Sequence, residues 1–202
     1  MNGRETSPRP QTAAADSAPL RRTVALIGLM GAGKSAVGRR LAATLNAPFF
    51  DSDDEIVRAA TMPIADIFEN LGERHFREGE RRVIARLLSG PPHVLATGGG
   101  AFMSEDTRAL LRARAHVVWL RADLDTLVAR CGRRDDRPLL RGQDVRQRLA
   151  DLMEARHPIY AEAESVVESV NGPHEVVVRA VMRALQSAGD IIEGSNAPRR
   201  TS

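Results

Sequence analysis

The stretch GLMGAGKS, residues 28–35, decides the fold of this chain. It satisfies the pattern GxxxxGK[ST], in which a glycine-rich turn joins a strand to a helix. The fixed positions of the pattern are Gly28, Gly33, Lys34 and Ser35. The apolar run TVALIG (23–28) predicts the strand, and the periodic segment that follows, 34–45, predicts the helix. Because backbone N–H groups and the helix N-terminus of such a turn attract phosphate, the stretch predicts a nucleoside triphosphate site.

Lys34 is the single lysine among the 29 lysine and arginine residues of the chain. An ammonium group is a compact point charge, whereas a guanidinium group is a broad planar fork. In this motif the lysine reaches the β- and γ-phosphates, and the hydroxyl of Ser35 can bind Mg²⁺. We infer that a narrow phosphate cradle keeps lysine at this position against the arginine bias of the chain.

The composition narrows the class of protein. A chain of 202 residues with 43% hydrophobic and 27% charged residues suits one compact domain. A net charge of +3, with basic residues that lack the aromatic interleaving of a base-stacking surface, speaks against a nucleic-acid partner. Cys131 is the one cysteine and cannot form an internal disulfide, and no apolar run approaches the roughly 20 residues of a membrane span. We expect a cytoplasmic protein.

Strands and helices alternate along the chain, which predicts a parallel sheet covered by helices on both faces. The predicted strands are TVALIG (23–28), PFFDSD (48–53), HVLAT (93–97), HVVWL (116–120) and SVVESV (165–170). Gly72 predicts a break between two helices, and Ser104, Asp123, Asp144 and Pro173 predict helix starts.

The domain organisation follows from composition. Residues 1–22 are rich in Pro, Ala, Ser and Thr and are expected to be a disordered tail, and residues 187–202 a flexible C-terminal tail. One domain is expected over residues 23–186. Within it, residues 132–142 are charged and lack periodicity, which predicts a mobile loop.

Two acidic residues, Asp51 and Asp53, lie two positions apart at the end of the second predicted strand. On an extended strand they would lie on one side, and beside the first strand they would lie near the phosphate loop. One could hold Mg²⁺ and the other could accept a proton from an attacking hydroxyl. The alternative, equally supported by these residues, is a solvated helix start, because Asp-Ser-Asp-Asp also makes good caps.

Two further patterns are open to two interpretations. Gly98, Gly99 and Gly100 follow the third strand, where they could admit a small ligand or form a loose turn. Arg77 and Glu80 are three residues apart on a predicted helix. They could be an ordinary surface pair, or the glutamate could aim the arginine at a substrate carboxylate.

Several motifs occur in one order after the phosphate loop. They are DSD (51–53), IADIF (64–68), FRxxE (76–80), GGG (98–100), RPLL (137–140) and RxxxY (156–160). In this order they resemble the shikimate kinases, over about residues 22–186. The resemblance implies a three-layer α/β/α P-loop kinase fold, similar to nucleoside monophosphate kinases, with a five-stranded parallel sheet and a mobile lid at 132–142. It also implies transfer of the γ-phosphate of ATP to the 3-hydroxyl of shikimate, a step toward chorismate and the aromatic amino acids.

The resemblance also implies roles for individual residues. The catalytic residues would be Lys34, Asp53 and Arg137. The ATP-binding residues would be Gly31, Ala32, Gly33, Lys34, Ser35, Ala36, Arg130, Arg137 and Pro173. The shikimate-binding residues would be Asp53, Arg77, Gly98, Gly99, Gly100 and Arg156. Ser35, and Asp51 through water, would hold Mg²⁺. The partners would be ATP and shikimate, bound by a monomer that has no nucleic-acid or membrane partner.

Two other functions compete with this one. The first is another small P-loop kinase with a polyol acceptor, such as a gluconate kinase. The second is a nucleotide-dependent switch or a degenerate binding module, which would bind nucleotide without turning over an acceptor. Retention of Lys34, Asp51, Asp53 and Arg137 speaks against the second.

Overall fold

The computed structural model of the chain describes residues 20–132 and 144–191. The predicted positions of Arg137 and of most of the lid therefore lie outside the described residues, as do most of both predicted tails. The described strands are β1 (Thr23–Ile27), β2 (Phe49–Asp51), β3 (Val94–Ala96), β4 (Ala115–Arg121) and β5 (Ser165–Glu168). The described α-helices are α1 (Lys34–Thr44), α2 (Ser52–Ala60), α3 (Ile64–Leu88), α4 (Glu105–Arg114), α5 (Leu124–Cys131), α6 (Val145–Tyr160) and α7 (His174–Ser187), and a 3₁₀ turn spans Ala101–Met103.

The five strands form one parallel sheet in the order β2-β3-β1-β4-β5, which confirms the predicted sheet. Crossovers between parallel strands are right-handed, so connections that run in opposite directions along the sheet lie on opposite faces. Helix α1 leads toward β2 and packs against α7, whereas α3 packs against α4, and α5 against α6, on connections that run the other way. The result is the predicted three-layer arrangement.

The register of the sheet determines which residues of neighbouring strands lie side by side at the candidate site. Leu26 of β1 and Asp51 of β2 both pair with Ala96 of β3, so the three residues lie in one row across the sheet. Gly28 and Gly98 each follow this row by two residues. Because the carboxyl ends of parallel strands meet at one edge, the phosphate loop and the glycine triplet are neighbours.

The second predicted strand is shorter than expected. Strand β2 ends at Asp51, and Ser52 begins helix α2, so the prediction of an extended strand through Asp53 is wrong. Asp51 is the N-cap of α2, since its carboxylate accepts the backbone N–H of Asp53 at 3.1 Å. A cap followed by acidic residues stabilises a helix N-terminus and here overrides the strand pattern. Strand β3 lies between β1 and β2, so the condition that β2 lies directly beside β1 is not met.

The other predicted starts and stops agree with the structure. Ser104, Asp123 and Asp144 cap α4, α5 and α6, each accepting a backbone N–H at 2.7 to 3.5 Å. Gly72 adopts a φ of 80° and kinks α3 at the predicted break. Pro173 precedes the first residue of α7. Among the described helices, none combines the length and the apolar character that crossing a bilayer requires.

The folded unit extends beyond the predicted bounds of 23–186. Leu20 is buried and forms an antiparallel bridge with Ile191. The guanidinium of Arg22 donates to the buried carboxylate of Asp190 at 2.7 Å, and His116 also contacts that carboxylate at 2.6 Å. The bond from Arg22, with help from His116, holds the pKa of Asp190 below its usual value. These contacts join positions far apart in the chain, so no local pattern could reveal them.

Gly38 of α1 and Gly79 of α3 provide a matched test of how closely α1 packs on the sheet. A Cβ on Gly38 would lie 2.6 Å from the ring of Phe49 and 3.2 Å from Leu26, whereas a Cβ on Gly79 would meet nothing within 4 Å. We expect Gly38→Ala to lower the free energy of unfolding by about 1–3 kcal/mol through overpacking. Gly79→Ala, the control, should raise it by up to about 1 kcal/mol through helix propensity. Urea unfolding of both variants measures the difference, and equal effects would contradict the packing described here.

Candidate active site

The phosphate loop folds around the ammonium group of Lys34. The Nζ of Lys34 donates to the carbonyl oxygens of Gly28 at 2.8 Å and of Leu29 at 3.0 Å. Gly33, the N-cap of α1, has a φ of 91°, a left-handed conformation that residues with side chains rarely adopt. The loop therefore holds a positive charge directly at the start of a helix whose N-terminus also favours anions.

Arg130 and Ser169 brace the phosphate loop from the side. Arg130 donates to the carbonyl of Gly31 at 3.2 Å and to the hydroxyl of Ser169 at 2.9 Å. Ser169 in turn donates to the carbonyl of Ala32 at 2.7 Å and is buried. Sequence reasoning missed Ser169, because a serine after a short strand carries no motif. The guanidinium of Arg130 is thus engaged with the loop backbone.

The remaining predicted ATP-binding residues surround the same loop. Ala36 lies in the first turn of α1. Pro173 is exposed at the start of α7 and is followed by His174, whose Cε1 would lie 3.9 Å from a Cβ on Gly33. Burial lowers the pKa of His174, and the nearby charges of Arg40 and Arg130 lower it further. Helix α7 therefore begins beside the end of the phosphate loop.

Ser35 and Asp51 contact each other at the mouth of the loop. The hydroxyl of Ser35 donates to Oδ2 of Asp51 at 2.6 Å. A hydroxyl and a carboxylate are oxygen ligands, which is the chemistry that Mg²⁺ prefers. In residues 20–132 and 144–191, no group of three or more His, Cys, Asp or Glu side chains could hold a metal ion. A magnesium ion at this pair would take its other ligands from water and phosphate, as is usual for this ion.

The glycine triplet, Gly98–Gly100, is surrounded by charged side chains. A Cβ on Gly98 would lie 2.7 Å from Oδ1 of Asp53 and 2.8 Å from Oε1 of Glu80. A Cβ on Gly100 would lie 2.5 Å from a terminal nitrogen of Arg77. A methyl group at Gly98 or Gly100 would therefore force these charged side chains to move. A hydrogen bond to helix α2 also fixes the triplet, since the N–H of Gly98 donates to the buried hydroxyl of Ser52 at 2.9 Å.

Arg77 and Glu80 form the ion pair that their spacing on the helix suggested. The guanidinium donates to Oε2 of Glu80 at 2.7 Å, and Glu80 is only 1% exposed. Burial raises the pKa of Glu80, although the bond and the charge of Arg77 oppose this rise. The second carboxylate oxygen, Oε1, is buried and accepts no hydrogen bond from the described residues. Because Glu80 is buried and Arg77 is half-buried next to the glycine triplet, this is not an ordinary surface pair.

Asp53 lies between the glycine triplet and Lys34 of the phosphate loop. Burial raises the pKa of its carboxyl group, and the neighbouring charge of Asp51 raises it further. The positive charges of Lys34 and Arg77 act in the opposite direction. A carboxylate with a raised pKa is a stronger base than an exposed aspartate, and it can be matched to proton transfer near neutral pH.

Arg156 approaches the triplet from helix α6. Its terminal nitrogen donates to the carbonyl of Gly99 at 2.9 Å, and the hydroxyl of Tyr160 donates to the same oxygen. The structure therefore brings Asp53, Arg77 and Arg156 together at Gly98–Gly100. Arg137 cannot be placed, because it lies outside the described residues.

The chain is similar to known shikimate kinases in sequence and in structure. A family model described as "SKI: Shikimate kinase" matches residues 30–186. A shikimate kinase from Caulobacter vibrioides is 56% identical over 174 residues, which are 86% of this chain and 87% of that protein. The solved structure of a shikimate kinase from Acinetobacter baumannii in complex with shikimate has a TM-score of 0.79 at 38% identity, and the match covers 83% of this chain and 94% of that one.

The fold is also shared outside this family. A gluconokinase from Sinorhizobium meliloti matches with a TM-score of 0.60, over 85% of this chain and 94% of that one. Its sequence identity is 17%, so the likeness shows a common fold alone. The family match spans most of the chain and includes the phosphate loop from Met30 onward, the glycine triplet, Arg77 and Arg156. This chain belongs to the shikimate kinase family.

Proposed function

We propose that this protein transfers the γ-phosphate of ATP to the 3-hydroxyl of shikimate. The observation that carries the proposal is the convergence of Asp53, Arg77 and Arg156 on Gly98–Gly100, at the sheet edge that also holds the phosphate loop. A phosphate donor and a hydroxy acid can therefore bind side by side in one cleft. Phosphoryl transfer depends mainly on this kind of positioning and on neutralisation of charge.

Arg77 and Arg156 would bind the carboxylate of the acceptor. A guanidinium group matches the two oxygens of a carboxylate, and the partners of Arg77 and Arg156 hold both groups in place before the acceptor arrives. Gluconate also carries a carboxylate, so the two arginines alone do not select shikimate. Membership of the shikimate kinase family supports shikimate as the acceptor.

Asp53 would orient the attacking hydroxyl and accept its proton. Its carboxylate is close enough to Gly98 to border the acceptor, and its pKa is raised by burial. The proton need move only late in the reaction, because the transition state is loose. The deprotonated form of Asp53 is the active one in this role.

Lys34 and a magnesium ion would neutralise the phosphates. Ser35 and Asp51 would hold the ion, which supplies positive charge to the oxygens of the transferred group. Lys34 contacts the loop carbonyls within reach of the same group. We also propose that Arg137 and the segment 132–142 cover the nucleotide, since lids of this kind exclude water as a competing acceptor.

The proposal also covers the oligomeric state, the compartment and the binding partners of the protein. The protein would act as a monomer, since Asp53, Arg77 and Arg156 come from one chain. It would work in the cytoplasm, where ATP is available as a co-substrate. ATP and shikimate would be its partners, without a nucleic acid.

An assay of ADP release tests the function directly. The protein is incubated with ATP and Mg²⁺ and with either shikimate or gluconate, and the product is identified by mass spectrometry. We expect ADP and a shikimate phosphate with shikimate, and only background ADP with gluconate. Preferential turnover of gluconate would favour the competing kinase, and nucleotide binding without turnover of either acceptor would favour a switch.

Replacement of Lys34 by arginine tests why the chain has its lysine there. The broad guanidinium cannot take the place of an ammonium group that contacts the carbonyls of both Gly28 and Leu29. We expect Lys34→Arg to lower kcat by about a hundredfold or more, as does loss of other contacts to transition-state charge. The exposed exchange Arg40→Lys is the control, and both variants should keep the wild-type circular dichroism spectrum. Turnover of Lys34→Arg within a few-fold of wild type would contradict the prediction.

Replacement of Asp53 by asparagine tests the proton acceptor. We expect Asp53→Asn to lower kcat by about 10²- to 10⁴-fold, the usual contribution of general base catalysis, with little change in the KM for ATP. The control is Asp54→Asn, because Asp54 is exposed and its carboxylate forms an ion pair with Arg39. Steady-state kinetics give kcat and KM for both variants. Wild-type turnover in Asp53→Asn would contradict the role of Asp53 as proton acceptor.

The same variant should also be more stable than the wild type at neutral pH. Because the pKa of Asp53 is raised in the folded state, ionisation of this group costs stability as the pH rises through that pKa. Asparagine avoids this cost, so its melting temperature should exceed that of wild type at neutral pH. The difference should shrink on acidification, as Asp53 takes up its proton. A lower melting temperature for Asp53→Asn at neutral pH would show that the carboxylate is not under this electrostatic penalty.

A further inference from the structure

The carbonyl oxygen of Gly99 is held by two side chains of one helix. It accepts one hydrogen bond from the guanidinium of Arg156, at 2.9 Å, and a second from the hydroxyl of Tyr160. A carbonyl oxygen has two lone pairs, so these donors use its capacity in full. Arg156 and Tyr160 are four residues apart in α6, so they lie on one face of the helix.

Tyr160 itself has little freedom to move. Its side chain is fully buried, and its ring lies 5.8 Å from the ring of Trp119 and 6.5 Å from that of His157. Trp119 belongs to the central part of the sheet, in β4. The aromatic ring is thus fixed by the core, whereas its hydroxyl reaches out of the core to the acceptor side of the site.

We propose that Tyr160 is a positioning residue for the acceptor: its hydroxyl fixes the carbonyl of Gly99, and this carbonyl fixes the guanidinium of Arg156 that binds the acceptor carboxylate. The proposal rests on the proposed function, since it assumes a carboxylate bound by Arg156. A guanidinium has five N–H donors, so the bond to Gly99 leaves others for that carboxylate. Tyr160 does not need to touch the substrate.

The environment of the Tyr160 hydroxyl keeps it protonated, so that it can donate a hydrogen bond at neutral pH. Burial raises the pKa of Tyr160, although the charge of Arg156 opposes the rise, so the phenol keeps its proton at neutral pH. A ring that served only to fill the core would need no hydroxyl there. Burial of the hydroxyl beside a charged residue is favourable only because it meets an acceptor, and that acceptor is the backbone of the glycine triplet.

The kinetic test uses Tyr160→Phe, which keeps the ring and removes the hydroxyl. We expect the KM for shikimate to rise by about tenfold, in keeping with the loss of one buried hydrogen bond, whereas the KM for ATP should stay within about twofold. Thr126→Val is the matched control, because it removes a buried hydroxyl that donates to Asp123 away from the acceptor side. An unchanged KM for shikimate, or an equal rise in both KM values, would overturn the positioning role.

A binding test gives an answer that does not depend on turnover. Trp119 and Tyr160 are the only tryptophan and the only tyrosine of the chain, so the fluorescence of Trp119 reports on this cluster alone. Titration with shikimate in the absence of ATP should give a Kd about tenfold higher in Tyr160→Phe than in the wild type and in Thr126→Val. Equal values of Kd in all three proteins would overturn the role.

A second probe covers the case in which Tyr160→Phe fails to fold. Biosynthetic incorporation of 3-fluorotyrosine labels Tyr160 alone and keeps its hydroxyl. Its ¹⁹F resonance should shift when shikimate is added and stay in place when ATP is added, and the absence of a shift with shikimate would overturn the proposal. Failure of the wild type to phosphorylate shikimate would instead overturn the proposed function, so the two failures are distinguishable.

Discussion

The candidate active site of this protein depends on a constraint of space: four charged side chains converge where three consecutive residues have no side chain. Asp53 and Glu80 border Gly98, and Arg77 lies against Gly100. The backbone of Gly99 anchors the fourth, Arg156. Asp53 comes from helix α2 and Glu80 and Arg77 from helix α3, so a side chain at Gly98 or Gly100 would force charged groups of two helices to move. The arrangement of the site therefore depends on the absence of side chains at the triplet as well as on the charged groups around it.

This crowding has an electrostatic consequence. Burial raises the pKa of both Asp53 and Glu80. The negative charge of Asp51 raises the pKa of Asp53 further, and the negative charge of Asp53 raises that of Glu80. The arginine of the FRxxE motif relieves part of this cost. Groups arranged for chemistry are therefore held at some expense of stability, which is a common property of active sites.

The sequence predicted the parts of the molecule that local rules govern. The phosphate loop, the caps at Ser104, Asp123 and Asp144, the kink at Gly72 and the parallel sheet all follow from spacing and turn chemistry. The prediction failed at DSD, where the run PFFDSD was assigned to a strand: Asp51 instead caps a helix, which is the alternative that these residues also offered. Even so, the helix brings Asp53 to the glycine triplet.

Contacts between distant segments could not be predicted in the same way. Strand order is one example, because no motif states that β3 lies between β1 and β2. The bond from Ser169 to the phosphate loop is another, since it joins residues 137 positions apart. The partners of the Tyr160 hydroxyl and of Arg22 belong to the same class. Such contacts arise from the folded topology and leave no trace in a single sequence.

The bridge between Leu20 and Ile191 has a consequence for the topology of the chain. Because these two residues are neighbours in space, a short peptide could join them, and the order of the elements around the sheet would then become circular. The pairing lies at the amino-terminal edge of β1, opposite the edge that carries the phosphate loop. New ends could then be opened in a surface turn far from the glycine triplet, as proteins with adjacent ends commonly tolerate. Such a chain would keep the elements that carry the phosphate loop and the glycine triplet, although it would begin and end elsewhere.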